Sequence, residues 1–154
     1  MGLKKDRVAV VTGASRGAGK GIAVALGATG DTVYVTGRTR QEGDAPLPGT
    51  VQSTADAVTA AGGKGIAVYC DHADDKQIER LFDQVRSEHG RLDILVNNAT
   101  VLHDALTDTG PFWEKPLSLV DILNVGLRCH YVASWYAAPL LVANGEGLVI
   151  NTSS

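Results

Sequence analysis

The chain has 154 residues, 44% of them hydrophobic and 20% charged, and a formal net charge of -3. That length suits one domain with a real core, and the composition is ordinary for a soluble globular protein. The slightly acidic balance argues against a nucleic-acid-binding surface.

The first strand is expected at Val8–Val11, with Met1 so close ahead that no signal peptide is expected. The strand runs straight into Thr12-Gly13-Ala14-Ser15-Arg16-Gly17-Ala18-Gly19, and a helix is predicted over Lys20–Ala28, ended by Gly30. Glycines spaced G-x-x-x-G-x-G between a strand and a helix suit a bound dinucleotide. Gly13 allows the sharp exit from the strand, Gly17 lets a pyrophosphate approach the backbone, and Gly19 lets helix and strand pack closely. The N–H groups and dipole of the first helical turn then face the phosphates. Taken alone, the segment also fits an ordinary strand-to-helix turn. It is not a P-loop, because no Ser or Thr follows Lys20 to hold Mg²⁺.

Thr32–Thr36 reads as a second strand, and Gln41–Gly49 as a long loop. A helix is predicted over Val51–Ala61, closed by Gly62-Gly63, and a third strand over Gly65–Cys70. Asp74–His89 has the clearest helical pattern: Ile78, Leu81, Phe82 and Val85 fall at i, i+3, i+4 and i+7. Asp74 and Asp75 favour its positive end, and Gly90 stops it. Leu92–Val96 is a fourth strand, Leu117–Ala143 a long and mostly apolar helix, and Leu148–Asn151 a fifth strand. The uncharged run Cys129 to Gly145 is short for a membrane span and carries His130, Asn144 and Pro139, so it reads as a buried helix.

Apolar strands alternating with helices imply a parallel sheet covered on both faces. Ligands in such folds sit beyond the C-terminal strand ends. Those ends carry Thr12-Gly13, Gly37-Arg38, Asp71, Asn97-Asn98 and Ser153-Ser154. Cys70 and Cys129 read as small core hydrophobes of a cytoplasmic chain, not as a disulfide. His72, His89, His103 and His130 have no ligand spacing and read as surface or helix-face residues, so no metal site is expected. Trp113 and Trp135 read as core or interface aromatics, and Tyr131 and Tyr136 as packing residues.

Five pieces in order resemble the short-chain dehydrogenases/reductases: the glycine segment, Cys70-Asp71, Asn97-Asn98-Ala99, Asn124-Val125, and Ile150-Asn151-Thr152-Ser153-Ser154. Phe112-Trp113-Glu114 with Asn124–Arg128 and His130-Tyr131 looks closer to one subgroup, the dehydrogenase/reductase member 1 type and related bacterial enzymes. The resemblance implies an α/β, three-layer Rossmann fold whose first five parallel strands are ordered 3-2-1-4-5. It also implies a role for each matched position. Gly13, Ser15, Arg16, Gly17, Ala18 and Gly19 would line the pyrophosphate and adenosine ribose. Asp71 would hold the adenine edge, with the His72 backbone beside the ring. Asn97, Asn98 and Ala99 would tie the fourth strand to its neighbours and line the adenosine side. Asn124, within the long helix, would hold a water of a proton relay. Ser154 would hydrogen-bond the substrate oxygen, with Ser153 beside it.

An NAD enzyme would carry a ribose-binding carboxylate at the end of the second strand. The sequence there is Val35-Thr36-Gly37-Arg38, so Arg38 is placed to hold a 2′-phosphate, with Arg16 approaching from the other side. NADP is therefore expected over NAD. The bland alternative is that Arg38 and Arg40 are solvated loop charges, and Glu42 and Asp44 are a modest counter-argument.

Two departures stand out. The family's Tyr-x-x-x-Lys pair is missing: none of Tyr34, Tyr69, Tyr131 and Tyr136 has a lysine four residues on. Thr100 stands where glycine is usual and would crowd the nicotinamide-side ribose. The expected protein is an NADP-dependent oxidoreductase acting on a small carbonyl or alcohol, present as its N-terminal cofactor-binding portion. Residues 1–154 would then turn over negligibly by themselves. An apolar strand edge is expected at Leu148–Asn151, and a homo-oligomer through the long helix if the chain is complete. The alternative from another class is a non-catalytic dinucleotide-binding module or sensor.

Overall fold

The computed structural model describes residues 6–153. Five strands, β1 (Val8–Val11), β2 (Thr32–Gly37), β3 (Lys64–Tyr69), β4 (Ile94–Asn97) and β5 (Leu148–Asn151), form one parallel sheet in the order β3-β2-β1-β4-β5. β1 is central, pairing Val10 with Tyr34 on one side and with Leu95 on the other. Its four residues are all buried because helices cover both sheet faces.

The strand period of two sorts the core into two layers. Val8, Val10, Tyr34 and Leu95 face the helix α3 (Asp75–His89), which contributes Ile78, Leu81, Phe82 and Val85. Ala9, Val11, Val33, Val35 and Val96 face the other way, toward α1 (Gly17–Gly27) and α2 (Val51–Ala60). α3 starts where expected because the Asp74 carboxylate accepts from the Lys76 N–H, and it ends on Gly90 at φ 66. Cys70 and Cys129 are buried free thiols of the first layer.

The predicted continuous helix over Leu117–Ala143 is not formed. Leu117–Val120 is a 3₁₀ turn, α4 (Asp121–Leu123) follows, and the backbone leaves helical geometry at Val125 (φ -113) and Gly126 (φ 150). A regular helix, α5, runs only over Cys129–Ala143. The break has a partner: the Val125 carbonyl accepts from the Val101 N–H at 3.0 Å. Gly126 supplies a conformation that a side chain would strain, and a Cβ there would press within 3.2 Å of Thr100 Oγ1.

α5 is also not wholly buried. Cys129, Ala133, Ala137 and Leu140 form its buried stripe, and the three small residues let it lie close to the sheet. Tyr131 and Trp135, on the opposite face, are 73% and 63% exposed. Trp113 is 75% exposed, so neither tryptophan belongs to the core. β5 presents Leu148, Val149 and Ile150 to solvent, the apolar edge expected of it.

Candidate functional site

The glycine turn leaves β1 between two walls. Thr12 Oγ1 accepts from the N–H groups of Asn98 (2.9 Å) and Ala99 (3.0 Å). Asn98 Nδ2 donates back to the carbonyls of Thr12 and Gly13, both at 3.0 Å. A Cβ on Gly13, whose φ is 63, would stand 2.6 Å from Ala99 Cα. One on Gly19 would stand 2.5 Å from Asn98 Nδ2 and 2.7 Å from the Gly13 carbonyl oxygen. On the other wall, the Ala14 N–H donates to the Thr36 carbonyl at 2.8 Å. The turn is thus clamped between β4 and β2.

Its outer side is open. Gly17 has φ 58, and a Cβ there would meet nothing within 4 Å. α1 begins at this residue, three positions earlier than predicted, with Gly17 and Ala18 exposed. No side chain caps the helix start, and its first turn carries no acidic residue. The donors and positive dipole end are therefore available to an anion. Ser15 is nearly buried, and its carbonyl accepts from Thr54 Oγ1.

The three arginines around the end of β2 have different fates. Arg38 is exposed and has no hydrogen-bond or ion-pair partner among the described residues. Arg16 turns onto the following loop: Nη2 donates to Thr39 Oγ1 (2.9 Å) and the Gly49 carbonyl (2.8 Å), and Nε donates to the Pro48 carbonyl. Arg40 lies 4.7 Å from the Tyr69 ring centroid, a cation–π contact. The loop carboxylates that weighed against a 2′-phosphate are spent on the loop's own amides. Asp44 accepts from the N–H groups of Arg40 and Gln41, and Glu42 accepts from that of Gly49.

At the end of β3, Asp71 is half-buried and accepts from the Ala73 N–H at 3.0 Å. The His72 side chain, expected at the surface or on a helix face, instead points inward, 4% exposed, because Thr36 Oγ1 lies 2.8 Å from its Nε2 and gives the buried ring a partner. Burial pulls its pKa down to about 4, so the ring is neutral near pH 7. Burial pushes the Cys70 thiol up to about 12, which keeps it protonated.

Asn97 joins β4 to β5 and α5, its Nδ2 donating to Asn151 Oδ1 (2.9 Å) and Ser134 Oγ (3.0 Å). The Thr152 N–H donates to the Asn97 carbonyl at 3.0 Å, which draws the start of Thr152-Ser153 to the top of β4. Ser153 is exposed, and Ser154 lies outside the described residues. Asn124 is exposed at the helix break, not inside a continuous helix. Thr100 is exposed beside that break. Among the described residues, no three His, Cys, Asp or Glu side chains gather as a metal site.

Sequence reasoning gave no role to Thr36, Ser134 or the His130 ring, whose Nε2 lies 2.9 Å from the Ala99 carbonyl oxygen. Thr36 carried a signal: it is a hydroxyl near the end of a strand expected to be buried, and such a group needs a partner. Ser134 and His130 depend on where α5 docks, and periodicity does not fix that.

The sheet order, the open glycine turn and the helix N-terminus above it define a Rossmann-type nucleotide-binding unit. The family model for short chain dehydrogenase matches residues 7–154, and the chain belongs to that family. It is 46% identical to mouse dehydrogenase/reductase SDR family member 1, over 97% of this chain and 47% of that protein. A metagenomic short-chain oxidoreductase solved in complex with NADP is 34% identical, with a TM-score of 0.81 over 97% of this chain and 63% of that one. A short chain dehydrogenase from Mycobacterium avium is 33% identical, with a TM-score of 0.81 over the whole of this chain and 55% of that one. The chain spans about half the length of the curated relatives it matches. Among the described residues, no helix is long and apolar enough to cross a membrane.

Proposed function

We propose that this chain is the cofactor-holding portion of an NADP-dependent oxidoreductase that interconverts a carbonyl and an alcohol on a small molecule. The observation that carries the reading is Arg38, an exposed guanidinium without a partner among the described residues, at a strand end where Glu42 and Asp44 are hydrogen-bonded to backbone amides of the following loop. A guanidinium there suits a 2′-phosphate, and no carboxylate competes for the ribose.

The residues present fit the group. The open face of Gly17, with the N–H groups of Ala18 and Gly19, would hold the pyrophosphate, beside Gly13 and Ser15. Arg16, braced next to Thr39, would complete the phosphate-facing edge with Arg38. Asp71 would hold the adenine edge, with the His72 backbone beside it, and Asn98 and Ala99 would line the adenosine side. Asn124 would hold a water of the proton relay, and Ser154 the substrate oxygen. The nicotinamide, when bound, would supply or accept the hydride.

The tyrosines of this chain provide no Tyr-x-x-x-Lys, so no residue of 1–154 is assigned the proton transfer. A second reading is a dinucleotide-binding module without turnover. A third inference concerns assembly: if the Tyr131 and Trp135 face of α5 is also exposed in the full-length protein, it would meet a second copy. The buried free thiols suit a reducing cytoplasm. The test of function is carbonyl-dependent oxidation of NADPH by the natural full-length protein across a panel of small aldehydes and ketones. Turnover supports the oxidoreductase, whereas tight NADPH binding without turnover supports the module.

A further inference from the structure

We propose that the His72 imidazole is a positioning residue that fixes Asp71, the adenine-facing carboxylate, relative to the phosphate-binding turn. This rests on the dinucleotide reading of the site.

The β2–β3 ladder ends early. Gly37 pairs with Tyr69, and the Cys70 N–H donates to the Gly37 carbonyl at 3.0 Å. Past that bond the chain turns toward α3, and among the described residues the hydrogen bonds of Asp71 run to Ala73, Asp74 and Gln77 at the start of α3. Its N–H donates to Gln77 Oε1, and its carboxylate accepts from the Ala73 N–H. Among the described residues, the side-chain bond from this segment back to β2 is the 2.8 Å contact of His72 Nε2 with Thr36 Oγ1. Thr36 is a node. Its carbonyl accepts from the Ala14 N–H of the glycine turn, and its hydroxyl lies 3.4 Å from the Val11 carbonyl oxygen. Adenine side and phosphate side are thus linked through one buried chain, His72–Thr36–Ala14.

The proton inventory is consistent. With the Thr36 hydroxyl donating to Val11, His72 donates from Nε2 to Thr36 Oγ1. Nδ1 is then an acceptor, 4.0 Å from Cys70 Sγ, whose thiol retains its proton. Burial holds the ring neutral, the state this arrangement needs. Both partners are buried: losing Thr36 leaves the His72 Nε2–H without an acceptor, losing His72 leaves the Thr36 hydroxyl only its bond to Val11, and either loss removes the rigidity of the link.

The test measures dissociation constants of NADPH and of 2′,5′-ADP, which carries only the adenine half, together with kcat and KM for NADPH in the full-length protein. His72→Ala is expected to weaken both ligands by about tenfold, and to raise KM for NADPH with kcat unchanged. His72→Gln, whose amide can reach Thr36, is expected to recover most of the loss. Thr36→Val should reproduce the loss, and His72→Ala with Thr36→Val together should be no worse than either alone. If His72→Ala does not fold, Thr36→Val and His72→Gln carry the comparison. Unchanged 2′,5′-ADP binding in His72→Ala or Thr36→Val would overturn the proposal. So would a loss that His72→Gln fails to restore. A wild-type protein that binds neither ligand would instead overturn the dinucleotide reading itself.

Discussion

Thr12 and Asn98 hold each other at the top of neighbouring strands: the Thr12 hydroxyl accepts the Asn98 N–H at 2.9 Å, and Asn98 Nδ2 donates to the Thr12 carbonyl at 3.0 Å. The exchange crosses from β1 to β4, and it also reaches Gly13 and Ala99. It fixes the shape of the glycine turn from below, before any ligand arrives. The turn's openness on its outer side is therefore preorganised and needs no induced change.

Thr12→Val keeps the shape of the side chain but leaves the Asn98 and Ala99 N–H groups without their acceptor. Urea unfolding should show a loss of about 1–3 kcal/mol. NADPH affinity should fall as well, because the clamp on Gly13 loosens.

Gly13→Ala and Gly17→Ala should separate stability from binding. Both glycines have positive φ, which a side chain adopts at a cost of about 1–2 kcal/mol. At Gly13 the new Cβ also collides with Ala99, so thermal denaturation should show the larger loss there. At Gly17 the Cβ meets only open space, so the stability change should be the smaller one. NADPH titration should nonetheless show a marked loss, since that space is where the backbone would meet the phosphates.

Stability should fall as acid is added through the range of His72. Its folded-state pKa, about 4, lies below the ordinary histidine value, so the unfolded chain binds more protons between the two. Stability is therefore full above about pH 6.5, declines as the pH falls toward 4, and loses about 3 kcal/mol over that window from this group. Asp74 and Asp75 have lowered pKa values and add loss in the same direction at still lower pH. Denaturant unfolding at pH 7 and pH 5 should show the decline, and His72→Gln should flatten the part that belongs to this ring.

The elements whose residues carry their own reason were legible in the sequence. β1 is a β-branched run, α3 combines an apolar stripe with an aspartate cap and a glycine stop, and the glycine spacing marks the turn between β1 and α1. The long segment 117–143 was misread because its apolar run hides a tertiary event. The pairing of Val101 with the Val125 carbonyl breaks the helix, and Gly126 was the single local sign of it. The exposure of Trp135 was hidden for a related reason: in α5 the small residues, not the large ones, face the sheet. Arg16 illustrates the limit for the site. Its position in the turn was readable, but its contacts with Thr39 and Gly49 depend on how the loop folds back.

The ratio of the NADPH and NADH dissociation constants, in the wild-type protein and in Arg38→Ala, decides whether Arg38 holds a 2′-phosphate. Arg38 is exposed and has no partner among the described residues, so its removal should leave stability within about 0.5 kcal/mol. A guanidinium on a 2′-phosphate is worth about 1.5–3 kcal/mol, so the wild-type protein should prefer NADPH by roughly ten- to a hundredfold. Arg38→Ala should erase most of that preference while leaving NADH affinity near its original value. Equal affinity for the two cofactors, a preference for NADH, or a ratio unmoved by Arg38→Ala would contradict the claim.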